Sequence, residues 1–173
     1  MIESKIDFAG KDTISVRIFS SRPRKMASFL LLFLACFSIL IPFSVFLITD
    51  LNIGFGFIVT LIIFIGSGVY FFRLFLWNRY GSEVYQIIRD QFIFFYDYKL
   101  FKDRISKKSF KSIKLGYRIQ NDAREIFDLE YLSHEDKKSY YLSLKVDEEI
   151  FNSRTEISAS DLKKLNMVLD AFV

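Results

Sequence analysis

Few of this chain's side chains can do chemistry. There is one histidine and one cysteine, too few for a thiolate or imidazole metal site, and no histidine other than His134 could serve a nucleophile. His134 lies in the polar run 132–138, which reads as a solvated turn. No Gly-rich phosphate loop and no G-x-S-x-G elbow occurs. Acids pair at Asp128/Glu130 and cluster at Asp147/Glu148/Glu149. An alternating pattern places them on a wet face or in a turn, where solvation explains them. The expectation is a protein that is not an enzyme, with no catalytic residue, cofactor or metal.

What remains is charge. From Lys99 to Arg118 there are eight basic residues against one acid, Asp103, and from Ile119 to Asp161 there are five basic against eleven acidic. The dense part of the basic run is Lys102, Arg104, Lys107, Lys108, Lys111 and Lys114. Close to an anionic leaflet each such residue gains ~1 kcal/mol, so these six form a candidate surface for lipid headgroups or a protein partner. They fit equally a solvated edge hairpin on which lysine prevents aggregation. Phe101, Phe110 and Tyr117 interleave with the cations, but alternation sends most of them inward. With no aromatic RNA-binding signature present, neither DNA nor RNA is an expected partner.

The elements that must carry this charge begin with two uncharged blocks, 24 residues from Met26 to Thr49 and 22 from Leu51 to Phe72. Each exceeds the roughly 20 residues that cross a bilayer as a helix. Only Asp50 and Asn52 interrupt the sequence between them, so the blocks form a tight antiparallel hairpin. Arg22, Arg24 and Lys25 precede it and Arg73 and Arg79 follow it, which sets both termini in the cytoplasm and the chain in the inner membrane, crossing twice. Trp77 and Tyr80 fit the interfacial aromatic belt, and Arg22, Arg24, Lys25, Arg73, Trp77 and Arg79 are the expected membrane-interface residues. Pro42 should kink the first helix. Gly56 and Thr60 have the small-xxx-small spacing that lets a neighbouring helix come close. Cys36 ends the tetrad Phe33-Leu34-Ala35-Cys36, which is loosely like a lipoprotein box, but the apolar run continues past it, so it reads as a small membrane-buried residue.

On either side of the hairpin the period changes to two. Ile14, Val16 and Ile18 alternate with Ser15 and Arg17 before it. After it, β-rich runs occupy 84–88, 92–96, 110–119, 126–132 and 140–146, the first pair separated by a turn at Arg89-Asp90-Gln91. Leu115 and Tyr117, then Leu142, Leu144 and Val146, share core faces. Leu162, Leu165, Val168, Leu169 and Phe172 recur at helical spacing behind a Ser160 cap. The expected architecture is therefore a membrane α-hairpin plus a mostly-β cytoplasmic domain, an antiparallel barrel or sandwich closed by a C-terminal amphipathic helix. Residues 1–25 would supply a strand of that domain, 26–77 the hairpin, and 78–173 the remainder.

This arrangement resembles the bacterial pleckstrin-homology-like (PH-like) membrane proteins, through the hairpin, the Gly81-Ser82-Glu83-Val84-Tyr85-Gln86-Ile87 entry, the 105–115 stretch, and the last strand and helix over 140–172. The resemblance implies an adaptor-like protein that brings no catalytic residues, and the expected partners are the lipid bilayer and either another protein or further copies of this chain in a homo-oligomer. The short, uncharged hairpin is also similar to the two-helix membrane effectors of antiphage signalling, in which a small cytoplasmic β-barrel binds a cyclic oligonucleotide.

Overall fold

A computed structural model describes residues 4–8, 13–19, 25–48, 54–119, 124–129, 132 and 139–172. The chain divides into two compact units, residues 1–21 with 80–173, and residues 22–79.

In the first unit, β1 (Ser4–Phe8), β2 (Thr13–Phe19), β3 (Ser82–Ile88), β4 (Gln91–Asp97) and β5 (Lys102–Ser109) form one antiparallel sheet in chain order. Val16 pairs with Tyr85 and Ile18 with Glu83, so the ladder between β2 and β3 bridges the whole helical insertion. A second sheet, in the order β7-β6-β8-β9, contains β6 (Ile113–Ile119), β7 (Glu125–Ile126), β8 (Ser139–Val146) and β9 (Glu149–Ser158). Period-two patterning sends Ile14, Val16, Ile18, Tyr85, Ile87 and Phe92 of one sheet and Tyr117, Leu142, Leu144 and Ile157 of the other into one core. The helix α3 (Ala159–Phe172) adds Leu162, Leu165 and Leu169 to it.

Several expectations need correcting. Among the described residues no ladder closes the two sheets into a barrel. Of the described residues in the run 126–132, Ile126 alone pairs as a strand, together with Glu125 just before the run. The basic stretch is not one hairpin, because β5 ends the first sheet and β6 belongs to the second. The helix cap is Ser158 rather than Ser160: its Oγ accepts from the Asp161 amide at 3.1 Å and donates to the Asp161 carboxylate at 2.7 Å.

Two polar devices join the sheets. At the crossover 110–112, the Phe110 amide donates to the Asp90 carbonyl, while Asp147 Oδ1 accepts from the Lys111 and Ser112 amides at 3.0 and 2.9 Å. Those donors lower the Asp147 pKa. The second device is buried. Between Tyr141 and Ser143 of β8 the register of β9 shifts, so that Leu142 faces residues 153–155. The Leu142 amide turns to Ser153 Oγ at 2.8 Å, and this bulge leaves the Arg154 amide free to point across to the other sheet. There it donates to both oxygens of Glu83, at 2.9 and 3.1 Å, and Thr155 Oγ1 (3.2 Å) and Tyr85 OH (2.9 Å) complete the carboxylate's shell. Glu83 is wholly buried, and desolvation outweighs these donors and raises its pKa.

The second unit is a helical pair, α1 (Lys25–Ile48) and α2 (Phe55–Tyr80). Asn78 Nδ2 donates to Ser28 Oγ at 2.7 Å near one end, and the Phe46 and Phe57 rings lie 5.5 Å apart near the other, so the pair is antiparallel. The close approach is at Gly68, where a Cβ would meet Ile39 Cγ1 at 3.0 Å and the Ala35 carbonyl at 3.3 Å. Gly56, expected to serve that purpose, faces open space. Ser38, Ser44, Thr60 and Ser67 each return their hydroxyl to the carbonyl four residues back, which satisfies them without a partner helix. With 24 and 26 residues the helices are about 36 and 39 Å long, and both are long and apolar enough to cross a membrane. The Asp50 turn lies outside the described residues.

Replacing Glu83 by Ala should strand three donors in the core and lower unfolding stability by about 2–4 kcal/mol in thermal melts of the detergent-solubilised chain. Glu83→Gln, which keeps one acceptor and no charge, should lose less. Because the folded pKa is raised, the stability linked to Glu83 is fully present below the ordinary carboxylate value and declines as pH rises through the folded value. The difference between wild type and Glu83→Gln should therefore favour wild type increasingly as pH falls from 7 towards 4.5.

Candidate functional site

β5 pairs only with β4, so its other edge meets no strand among the described residues. Lys102 and Lys107 are exposed and oppose Asp97 and Ile93, which sets them on one face of the sheet. Lys102 Nζ lies 4.5 Å from the centre of the Phe95 ring. On the same face Arg17, from β2, reaches across β3 to the Asp97 carboxylate at 3.2 Å.

Between these lysines the ladder is interrupted. Residues 104 and 105 of β5 together face Phe95, a bulge that holds Arg104 at φ 51°, in the left-handed region. From there the guanidinium lies 5.9 Å from the Tyr96 ring centre, which Arg154 of β9 also approaches, at 5.2 Å. The Tyr96 pKa is raised, first by burial and then by the charge of Glu83. Left-handed backbone costs a side-chain-bearing residue roughly 1 kcal/mol, and glycine would adopt it freely.

The other three cations of the run part company with the edge. Lys108 turns to the opposite face, level with Phe92, and ion-pairs with Glu149 at the start of β9. Lys111 sits in the crossover, its amide bound to Asp147, and Lys114 lies on β6 opposite Lys145. Three of the six therefore share the edge of β5. Leu100 and Ile105, 69% and 64% exposed, stand among these cations, which alternation alone did not reveal.

In the helical pair, Lys25 opens α1, and Arg73, Trp77 and Arg79 occupy the last turns of α2, which continues past the Phe72 boundary of the uncharged block. Lys25 and Arg79 are each within a turn of the Ser28–Asn78 bond, so one end of the pair gathers the basic residues. Arg22 and Arg24 lie outside the described residues, as does His134. Along the outer faces large apolar side chains stand bare, Phe29 at 74% and Ile62 at 64% exposed, and Cys36 is exposed on α1. Asp128 is exposed, while Asp147 and Glu148 form the β8–β9 turn. Among the described residues no three His, Cys, Asp or Glu converge on a metal-sized site.

The chain matches no family model and no curated protein.

Substituting Arg104 by Gly should raise the chain's stability by about 0.5–1 kcal/mol in thermal melts, through relief of the left-handed backbone. Arg104→Ala, which keeps the Cβ, should give no such gain.

Proposed function

We propose that this protein is a non-enzymatic, PH-like inner-membrane protein. Its helical pair crosses the bilayer twice with both termini in the cytoplasm, and its two-sheet domain binds anionic lipid headgroups along the edge of β5. The membrane half of this reading rests on the helices' bare apolar faces. A helix buried in a soluble core is covered by its neighbours, whereas Phe29, Phe43, Ile62 and Val69 are all exposed, an apolar surface that water does not tolerate. The cytoplasmic orientation is supported by Lys25, Arg73 and Arg79 at one end of the pair, through the positive-inside rule.

The observation that carries the lipid half is that Lys102, Arg104 and Lys107 stand exposed on an open strand edge, none ion-paired with a carboxylate among the described residues. Protection of an edge against aggregation requires charge, which lysine supplies at any unstrained position. It does not require an arginine held at φ 51° beside Tyr96. Strain of that kind is retained where a side chain must be aimed, and a guanidinium matches a phosphate in two hydrogen bonds.

Native mass spectrometry of the full chain, exchanged into mixed lipid, should show phosphatidylglycerol retained in preference to phosphatidylcholine. The preference should fall with rising salt and be lost in the triple variant Lys102→Glu/Arg104→Glu/Lys107→Glu, with melting little changed because exposed charges contribute little to folding. Equal retention of both lipids, or an unaffected triple variant, would return these residues to edge protection. Tight binding of a cyclic oligonucleotide would instead support a ligand-gated membrane effector.

A further inference from the structure

The turn between β4 and β5 has an unusual composition. Residues 98–101 read Tyr-Lys-Leu-Phe, with none of the Gly, Asn, Asp or Pro that commonly make turns. It is nonetheless well tied. The Tyr98 amide donates to the Phe101 carbonyl at 3.0 Å, and the Lys99 amide to Asp97 Oδ1 at 2.8 Å. Lys99 adopts φ 72°, and the Tyr98 and Phe101 rings stack at 4.7 Å with 14° between their planes. Tyr98 is buried, whereas Leu100 projects at 69% exposed and Phe101 at 41%. A fixed turn thus displays two large apolar side chains to the surroundings.

Two contacts indicate what those surroundings are. Lys99 Nζ lies 4.9 Å from the ring centre of Tyr80, the residue that ends α2, and Lys102 Nζ lies over Phe95. The turn is therefore held beside Tyr80, which in sequence directly follows Arg79 and comes three residues after Trp77. Its apolar tip is flanked on both sides by a cation. Apolar side chains between lysines match the chemistry of the bilayer interface, where acyl chains lie beneath anionic phosphates.

We propose that the β4–β5 turn is a membrane-insertion element, with Leu100 and Phe101 entering the boundary between headgroups and acyl chains while Lys99 and Lys102 bind lipid phosphates above them. This rests on the membrane reading of the helical pair and deepens the lipid reading of β5. It gives the basic edge a fixed depth and orientation on the leaflet.

The full chain carrying Cys36→Ala and Leu100→Cys, with a fluorophore on residue 100, tests the idea in nanodiscs of phosphatidylcholine with and without phosphatidylglycerol. A fluorophore on Glu148→Cys, in the β8–β9 turn, is the reference. In anionic discs the label at 100 should be quenched by nitroxide lipids several-fold more than the label at 148 and be shielded from aqueous iodide, with weaker quenching in neutral discs. Quenching of Trp77, the single tryptophan, by brominated lipid reports separately on the helical pair. Strong Trp77 quenching with a label at 100 that stays open to iodide would overturn the insertion proposal alone. Absence of Trp77 quenching would overturn the membrane reading beneath it. Shielding of the label from both quenchers would mean that protein covers the turn, and would also overturn the proposal.

Discussion

Glu83 is a carboxylate withdrawn from water in the first sheet whose partners are drawn largely from the second. Such a group is tolerable only if its oxygens are filled, and here the bulge of β9 fills them with the Arg154 amide and the Thr155 hydroxyl, while Tyr85 donates from the same strand. The dependence runs both ways. Without the bulge the Arg154 amide would be spent on the ladder with β8, and without Glu83 the bulge would bury a donor with nothing to meet it. Two residues separate Glu83 from Tyr80, so the clamp grips β3 just where the chain returns from α2.

That position matters because the first sheet is assembled across an insertion. β2 and β3 are neighbours in the sheet but lie on opposite sides of the helical pair in sequence. Their register cannot be set by a short turn and must come from side chains. Ile14, Val16 and Ile18 supply it from one strand, and Tyr85 and Ile87 from the other, since a one-residue slip would carry each to the wrong face. The Asp147 clasp on the crossover then fixes where the second sheet begins.

Sequence made the strongly periodic elements legible. The uncharged blocks, the alternation in β2 and β8, and the apolar stripe of α3 follow directly from residue type. β5 and β9 were not legible as strands because their chemistry is dominated by other demands. Lys102–Ser109 is an edge strand with a bulge, and its charges mask the alternation. In Glu149–Ser158 the residues 153–155 break the period where Ser153 meets the Leu142 amide and Arg154 and Thr155 turn to Glu83. Nothing in the local pattern marks Glu83 as buried, because its partners lie about seventy residues away. The cation cluster was visible as composition, but its division was not: Lys108 leaves for Glu149 and Lys114 for the other sheet, a consequence of sheet topology that spacing does not carry.

On the proposed lipid-binding reading, the basic edge of β5 and the apolar turn at residues 98–101 lie against a charged leaflet. Amide hydrogen exchange of the full chain, compared between neutral and anionic nanodiscs, tests that most directly. The expected result is that residues 98–107 exchange more slowly on the anionic surface, while the segments around Glu83 and Arg154 remain in the slowest class in both. Identical exchange of residues 98–107 on the two surfaces would contradict it.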